Sequence, residues 1–174
     1  DQAGALDFGD LLLRTCQLLR DNPEIREKWQ NQFSHMMVDE YQDTNHAQYI
    51  LTKTLSAKHK NVCVVGDDDQ SIYSWRGANI RNILEFERDF PNTKVVTLER
   101  NYRSTARILE AAGLVIHHNK TRKPKKLWTE APAGDEIRVA ELPSESEEAN
   151  WVVRRISEEV DGGRSLREVA VFYR

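Results

Sequence analysis

A chain of 174 residues with 39% hydrophobic content is large enough to bury a core without disulfides, as one domain or as two small ones. Its net charge of −3 argues against a protein that binds nucleic acid over its whole surface, while leaving room for a local groove. No apolar run approaches the roughly 18 residues of a membrane span, and no secretory leader pattern opens the chain, so membrane and export readings drop out.

Cys16 and Cys63 sit in helix-like and strand-like apolar runs rather than in a paired spacing, which predicts buried thiols in a reducing compartment. Up to Leu98 there are 11 Lys/Arg against 15 Asp/Glu, and beyond it 14 against 13, a change of sign that predicts two modules. The chain opens at Asp1 and stops inside an alternating run at 168–174, and reads as a piece of something longer.

In chain order, Phe8, Leu11, Leu12, Thr15, Leu18 and Leu19 recur at helical spacing and predict an amphipathic helix over 7–20. Asn22-Pro23-Glu24 supplies a cap, a proline at the first helical position and an early acid, so a second short helix carries a buried or half-buried Trp29. His35 to Val38 is a short apolar strand that ends on Asp39-Glu40. Asn45 is the expected cap of the next helix, and Asn61 to Val65 returns as a strand. Ile80, Ile83, Leu84 and Phe86 predict a helix over 79–89, and Val95, Val96 and Leu98 a third strand.

Ser104 or Thr105 caps a further helix running to about His118. The run Lys120-Thr121-Arg122-Lys123-Pro124-Lys125-Lys126 then reads as an exposed basic loop, either solvated or touching phosphates. A strand is expected over 137–142, a helix opened by the capping-box pattern Ser144-x-x-Glu147 and closed near Gly162-Gly163, and a last strand after Ser165. Strands alternating with helices imply an α/β fold with a mainly parallel sheet, whose ligands bind at the carboxyl ends of the strands. Asp39-Glu40, the stretch from Asp67 to Gln70, and the stretch from Glu99 to Arg103 all fall there, which predicts one shared site.

Two adjacent carboxylates at a strand end are either a solvated acidic turn or a pair with chemistry to do. In the second reading Asp39 holds Mg²⁺ through water, because Mg²⁺ takes one or two protein carboxylates beside phosphate oxygens. Glu40 then orients and deprotonates a water. The stretch Gly66-Asp67-Asp68-Asp69-Gln70-Ser71-Ile72-Tyr73-Ser74-Trp75-Arg76-Gly77-Ala78 runs from acids and an amide into two aromatics and an arginine, a composition suited to phosphate or metal at one end and to the flat faces of bases at the other.

Taken together, Asp39-Glu40-Tyr41-Gln42-Asp43-Thr44-Asn45, the stretch from Gly66 to Ala78, and Asn101-Tyr102-Arg103-Ser104 resemble three successive motifs of the superfamily 1 DNA helicases of the UvrD, PcrA and Rep type. Leu6-Asp7-Phe8-Gly9-Asp10-Leu11 resembles the segment that precedes them, and the Asp-Asp-Asp-Gln and Tyr-Ser-Trp variants look most like the Rep branch. The resemblance implies RecA-like P-loop NTPase folds, with 1–98 as the later part of the first such domain and 99–174 as the beginning of the second. It implies a bacterial cytoplasmic, nucleoid-associated motor of DNA replication and repair that couples Mg²⁺-ATP hydrolysis to 3′–5′ movement on single-stranded DNA and to unwinding at duplex junctions.

Carried over by position, the resemblance makes Asp39 and Glu40 the metal carboxylates, Glu40 also the general base, and Gln70 a contact to the γ-phosphate or its water. It makes Tyr102 the adenine-stacking ring and Arg103 an arginine finger, and gives Tyr73 and Trp75 to DNA. Arg76 either contacts DNA or pairs with Glu40. No Gly-x-x-x-x-Gly-Lys-Ser/Thr occurs in the chain, so ATP and Mg²⁺ are expected only in the full-length parent and the chain alone is expected to be inactive. An incomplete sheet exposes an edge and invites self-association. The rival readings are a RecB- or AddA-like helicase–nuclease subunit, a non-enzymatic single-stranded-DNA-binding module, and a phosphoacceptor receiver domain, which leaves Tyr73 to Arg76 without a purpose.

Overall fold

In the computed structural model, which describes residues 4–173, the chain forms two compact units, 1–134 and 135–174. The first opens with α1 (Phe8–Asp21), whose start is fixed by reciprocal capping: the Asp10 N–H donates to Asp7 Oδ1 at 2.7 Å and the Asp7 N–H to Asp10 Oδ2 at 3.3 Å. Helix α2 (Pro23–Gln32) has its proline in the first turn, where a missing N–H costs nothing, and stacks half-buried Trp29 on Phe33 at 5.5 Å. The apolar stripe of α1 packs on α2 and on α3 (His46–Ser56), with Leu19 buried. Asn45 caps α3 as the sequence predicts, accepting the Gln48 N–H at 3.0 Å.

Strand β1 (Met36–Val38) pairs in parallel with β2 (Val62–Val64), Met36 opposite Val62 and Val38 opposite Val64, with α3 as the crossover. This is the α/β arrangement with a parallel sheet that the sequence implies. Met36, Val38, Val62 and Val64 are half-buried, whereas Met37 and Cys63 point to the opposite face and are exposed. The expectation of two buried thiols therefore fails at Cys63, because that face of the sheet has no covering layer among the described residues. Cys16 is half-buried and directs its Sγ to the Ala47 carbonyl at 3.5 Å.

The expected third strand at 95–98 does not form among the described residues, and Val95, Val96 and Leu98 are exposed. A strand needs a neighbour for its N–H and C=O groups, and no ladder reaches this one. The expected helix over 79–89 is split into α4 (Arg81–Leu84) and α5 (Phe86–Asp89) by Glu85, which lies at φ −102° and ψ 11°. Asn82 and β-branched Ile83 are weak helix formers, and the break still lets Asn82 and Phe86 bury. Helix α6 (Ala106–Ile116) follows, two residues shorter than expected. Thr105 occupies its cap position without a side-chain cap, and the carbonyls of Pro132 and Ala133 accept the Ala106 and Arg107 N–H groups instead.

In the second unit, Ser144 Oγ caps α7 (Glu145–Asp161) by accepting the Glu147 N–H at 3.3 Å, and the helix ends at Gly162-Gly163. No strand forms over 137–142 or after Ser165, where a single 3₁₀ turn, Leu166–Glu168, leads into irregular chain; Arg174 lies outside the described residues. Both segments alternate like strands in sequence, and among the described residues of this unit neither has a partner strand to complete a ladder.

Candidate functional site

Both strands of the parallel pair end in polar turns, and the turns are joined by a buried amide. After β1 the backbone passes through Asp39 and Glu40 into a 3₁₀ turn, Tyr41–Asp43. Glu40 adopts φ 50° and ψ 41°, left-handed values that cost a non-glycine residue energy and are held only where the surroundings enforce them. What enforces them lies on either side: the Glu40 N–H donates to Asp39 Oδ1 at 2.9 Å, and the Tyr41 N–H donates to the Val65 carbonyl at 3.0 Å. Gln42, 1% exposed, donates from Nε2 to Glu40 Oε2 at 2.7 Å and accepts the Asp67 N–H on Oε1 at 3.0 Å.

The close approach of Gln42 explains Gly66. A Cβ at that position would stand 2.5 Å from Gln42 Oε1, 2.9 Å from Ile83 Cδ1 and 3.2 Å from the Tyr41 nitrogen. Beneath the turns, Tyr41 meets Phe86 edge-on at 5.6 Å, and burial pushes the Tyr41 hydroxyl up to about 12. Asn82 Nδ2 donates to the Thr44 carbonyl at 3.0 Å, and Thr44 Oγ1 to the Tyr41 carbonyl at 2.7 Å, while Asp43 Oδ1 in the same turn is buried without a hydrogen-bond partner among the described residues.

One cleft in the first unit is lined by Asp39, Glu40, Gly66, Asp67, Gln70 and Lys125, among others. Asp39, Glu40 and Gln70 therefore line one cleft, whereas the stretch from Glu99 to Arg103, which the strand-end argument placed with them, does not line it. Asp39 and Glu40 are exposed, and Asp39 Oδ2 is bonded to none of the described residues. Gln70 closes a 3₁₀ turn, Asp68–Gln70, and donates from Nε2 to Asp67 Oδ2 at 2.7 Å.

Tyr73, Trp75 and Arg76 lie outside the cleft lining. They surround a second 3₁₀ turn, Ser74–Arg76, which Gly77 closes at φ 84°, a conformation that glycine adopts without strain. Trp75 is 73% exposed, its ring 6.2 Å from that of Tyr73, and the Arg76 guanidinium lies 4.6 Å from the Trp75 centroid and 5.1 Å from that of Tyr73. Arg76 makes no ion pair with Glu40, whose Oε2 accepts from Gln42 instead. Tyr102 and Arg103 also lie outside the cleft lining. Asn101 Oδ1 accepts the N–H groups of Arg103 and Ser104 at 2.9 and 2.7 Å, a tight turn that leaves Tyr102 82% exposed beside the Arg100 guanidinium at 4.8 Å.

The basic loop departs most from expectation. Lys125 Nζ contacts Asp67, Asp68 and Asp69 together, Arg122 forks onto both oxygens of Asp69 at 2.8 and 2.6 Å, and the Lys123 N–H donates to Asp68 Oδ2 at 2.7 Å. Burial works against the Lys125 ammonium, but its three carboxylate partners outweigh that and raise its pKa. The Arg122 fork, opposed by burial and helped by Lys125, holds the Asp69 carboxyl below its ordinary value. Counting charges along the loop showed its sign; only the fold reveals that the charge is spent internally on partners more than fifty positions away.

Residues 1–91 match the family model described as the UvrD/REP helicase N-terminal domain, and residues 96–174 match the one described as the UvrD-like helicase C-terminal domain. Over 170 residues, 98% of this chain, it is 54% identical to the ATP-dependent DNA helicase PcrA of Staphylococcus epidermidis and 51% identical to that of Staphylococcus aureus. The chain spans 23% of the length of each of these relatives. With the N-terminal model alone matching more than half of its residues, the chain belongs to the UvrD/REP helicase family.

Proposed function

We propose that this chain is part of an ATP-driven motor that moves 3′–5′ along single-stranded DNA and opens duplex junctions in bacterial replication or repair, beside the nucleoid. The observation that carries this reading is the cleft at the ends of β1 and β2, where Asp39, Glu40 and Gln70 meet on a turn network knitted by Gln42. The printed name of the relatives, ATP-dependent DNA helicase, supports it.

In this reading Asp39 and Glu40 would hold Mg²⁺. The donor set fits, being hard oxygens with Asp39 Oδ2 free of other partners. The ion would supply charge neutralisation for the transferring phosphoryl group. Glu40 takes the proton from the attacking water, and its hydrogen bond from Gln42 fixes the carboxylate while leaving Oε1 to accept. Gln70 contacts the γ-phosphate or its water, Tyr102 stacks on adenine, and Arg103 reaches the phosphate as a finger from the second domain, once the parent's two domains close on the nucleotide. Tyr73, Trp75 and Arg76 receive DNA. The boundary between the two RecA-like parts falls near 98–99, a placement supported by the gap between the two family matches at 91 and 96.

The sequence holds no phosphate-cradling glycine loop with its lysine, so the 174 residues alone turn over no ATP at a useful rate. Exposed Met37 and the unpaired segment 95–98 support self-association of the chain in isolation. The test is Glu40→Gln in the full-length parent: DNA-stimulated ATP turnover is expected to fall by about 10²- to 10⁴-fold with nucleotide binding retained. Turnover at the wild-type rate would remove Glu40 as the base.

A further inference from the structure

The oxygens of Asp67, Asp68 and Asp69 lie within 4.8 Å of one another, a spacing that a divalent cation would suit. The ammonium of Lys125 holds that place instead. Its Nζ stands 2.6 Å from Asp67 Oδ1, 2.9 Å from Asp68 Oδ1 and 2.9 Å from Asp69 Oδ2, which matches its three N–H donors to three carboxylates, and its side chain is 13% exposed. Three like charges this close repel one another. Lys125 and Arg122, with the Lys123 N–H, let them share a single turn.

Asp67 carries this arrangement into the candidate site. Its Oδ1 is held by Lys125 and by the Asp69 N–H at 3.0 Å, and its Oδ2 accepts from Gln70 Nε2 at 2.7 Å. A carboxylate only accepts, so the nitrogen of the Gln70 amide must face Asp67 and its oxygen must face away. Gln70 Oε1 has no partner among the described residues and is the atom left for a ligand.

We propose that Lys125 is a positioning residue for Gln70: by pinning Asp67 within the acidic turn, it sets the orientation of the Gln70 carboxamide and leaves the amide oxygen free to accept. The proposal rests on the reading of Gln70 as a nucleotide contact given above. Lys125 lies in the stretch matched by the C-terminal family model, and Asp67 and Gln70 in the stretch matched by the N-terminal one. The orientation of Gln70 therefore depends on a contact, inside the first compact unit, between stretches matched by the two different family models.

Two measurements separate this proposal from the reading beneath it. In the 174-residue chain, the side-chain amide of Gln70 is followed by ¹⁵N NMR. Lys125→Met is expected to speed its hydrogen exchange by roughly tenfold or more, since a bond worth about 1.4 kcal/mol corresponds to a factor of ten. Lys125→Arg is expected to restore slow exchange, and Lys126→Met, whose side chain touches none of the three aspartates, to leave it unchanged. If Lys125→Met fails to fold, Lys125→Gln replaces it, with a smaller acceleration expected. An unaltered Gln70 amide in a folded Lys125→Met or Lys125→Gln variant overturns the proposal, whatever the turnover. In the full-length parent, Lys125→Met is expected to lower kcat for ATP about 10- to 100-fold, the range typical of residues that orient a site from behind, with KM for ATP shifting less than about threefold. A loosened Gln70 amide with kcat unchanged would leave the positioning intact and remove Gln70 from the chemistry.

Discussion

Gln42 Oε1 accepts the Asp67 N–H at 3.0 Å across 25 positions of sequence, while Gln42 Nε2 donates to Glu40 at 2.7 Å. A single buried amide thus fixes the turn after β1 against the turn after β2, and with it the spacing of the candidate base from the Gln70 segment. Gln42→Leu keeps the bulk and removes both bonds, leaving the Asp67 N–H unsatisfied. A stability loss of about 1–3 kcal/mol is expected by urea denaturation. Gln42→Glu should lose at least as much, because it sets a second carboxylate against Glu40.

Gly66 is required by space rather than by backbone freedom. A methyl group there would overlap Gln42 Oε1 and Ile83 Cδ1 and crowd the Tyr41 nitrogen, and the first of these belongs to a side chain held at both ends. Gly66→Ala is expected to cost about 1–3 kcal/mol by overpacking. The double variant Gly66→Ala/Gln42→Ala, which opens the space, should lose less than the sum of the two single variants.

The elements around this contact were legible because each is a local signal. The Asp7 and Asn45 caps, the proline opening α2 and the apolar runs ending in acids are read within a few residues of themselves. Partnership is not local. Val95, Val96 and Leu98 have the composition of a strand but no neighbouring strand among the described residues, and Cys63 alternates onto the open face of the sheet. Lys125 looked like any solvated lysine, because nothing in a run of basic residues names the three aspartates that meet it. The available hint was the run of three acids at 67–69, whose mutual repulsion calls for a cationic partner.

That cluster should give the chain an acid-labile fold. At Asp67, burial pushes the carboxyl up, but hydrogen bonds from Lys125 and Gln70 outweigh it and leave the pKa depressed; at Asp69 the Arg122 fork dominates, and at Asp89 the Lys53 hydrogen bond. Folded values below the unfolded one, near 3.9, mean stability that is present above it and lost as pH falls through the folded values. Lys125 has the opposite sign: its contribution is fully present below its unfolded value and is lost only as pH rises through the raised folded one. Melting temperature is therefore expected to drop from about pH 5 downward. The gap between wild type and Lys125→Met, measured by thermal melts, should narrow between pH 7 and pH 3, and a constant gap would show that the ion pairs contribute nothing.

Trp75 and Arg76 make separable predictions for DNA. The indole is mostly exposed and carries the Arg76 guanidinium on one side, so in the proposed DNA role a base would stack on the other face or displace the arginine. Base–aromatic stacking is worth roughly 1–3 kcal/mol, and Trp75→Ala is expected to weaken binding of a fluorescent oligothymidine by about ten- to hundredfold. Because stacking involves no phosphate, the slope of log affinity against log salt should stay as it is. Arg76→Ala tests the other half. If the guanidinium leaves the rings to meet the backbone on binding, the slope falls by about 0.7, the value for one phosphate on a single strand. If it only stiffens the indole, through a cation–π contact worth about 0.5–1 kcal/mol at an exposed site, affinity drops slightly at constant slope. The first outcome is expected, because Arg76 has no carboxylate partner among the described residues to hold it in place once a phosphate competes for it.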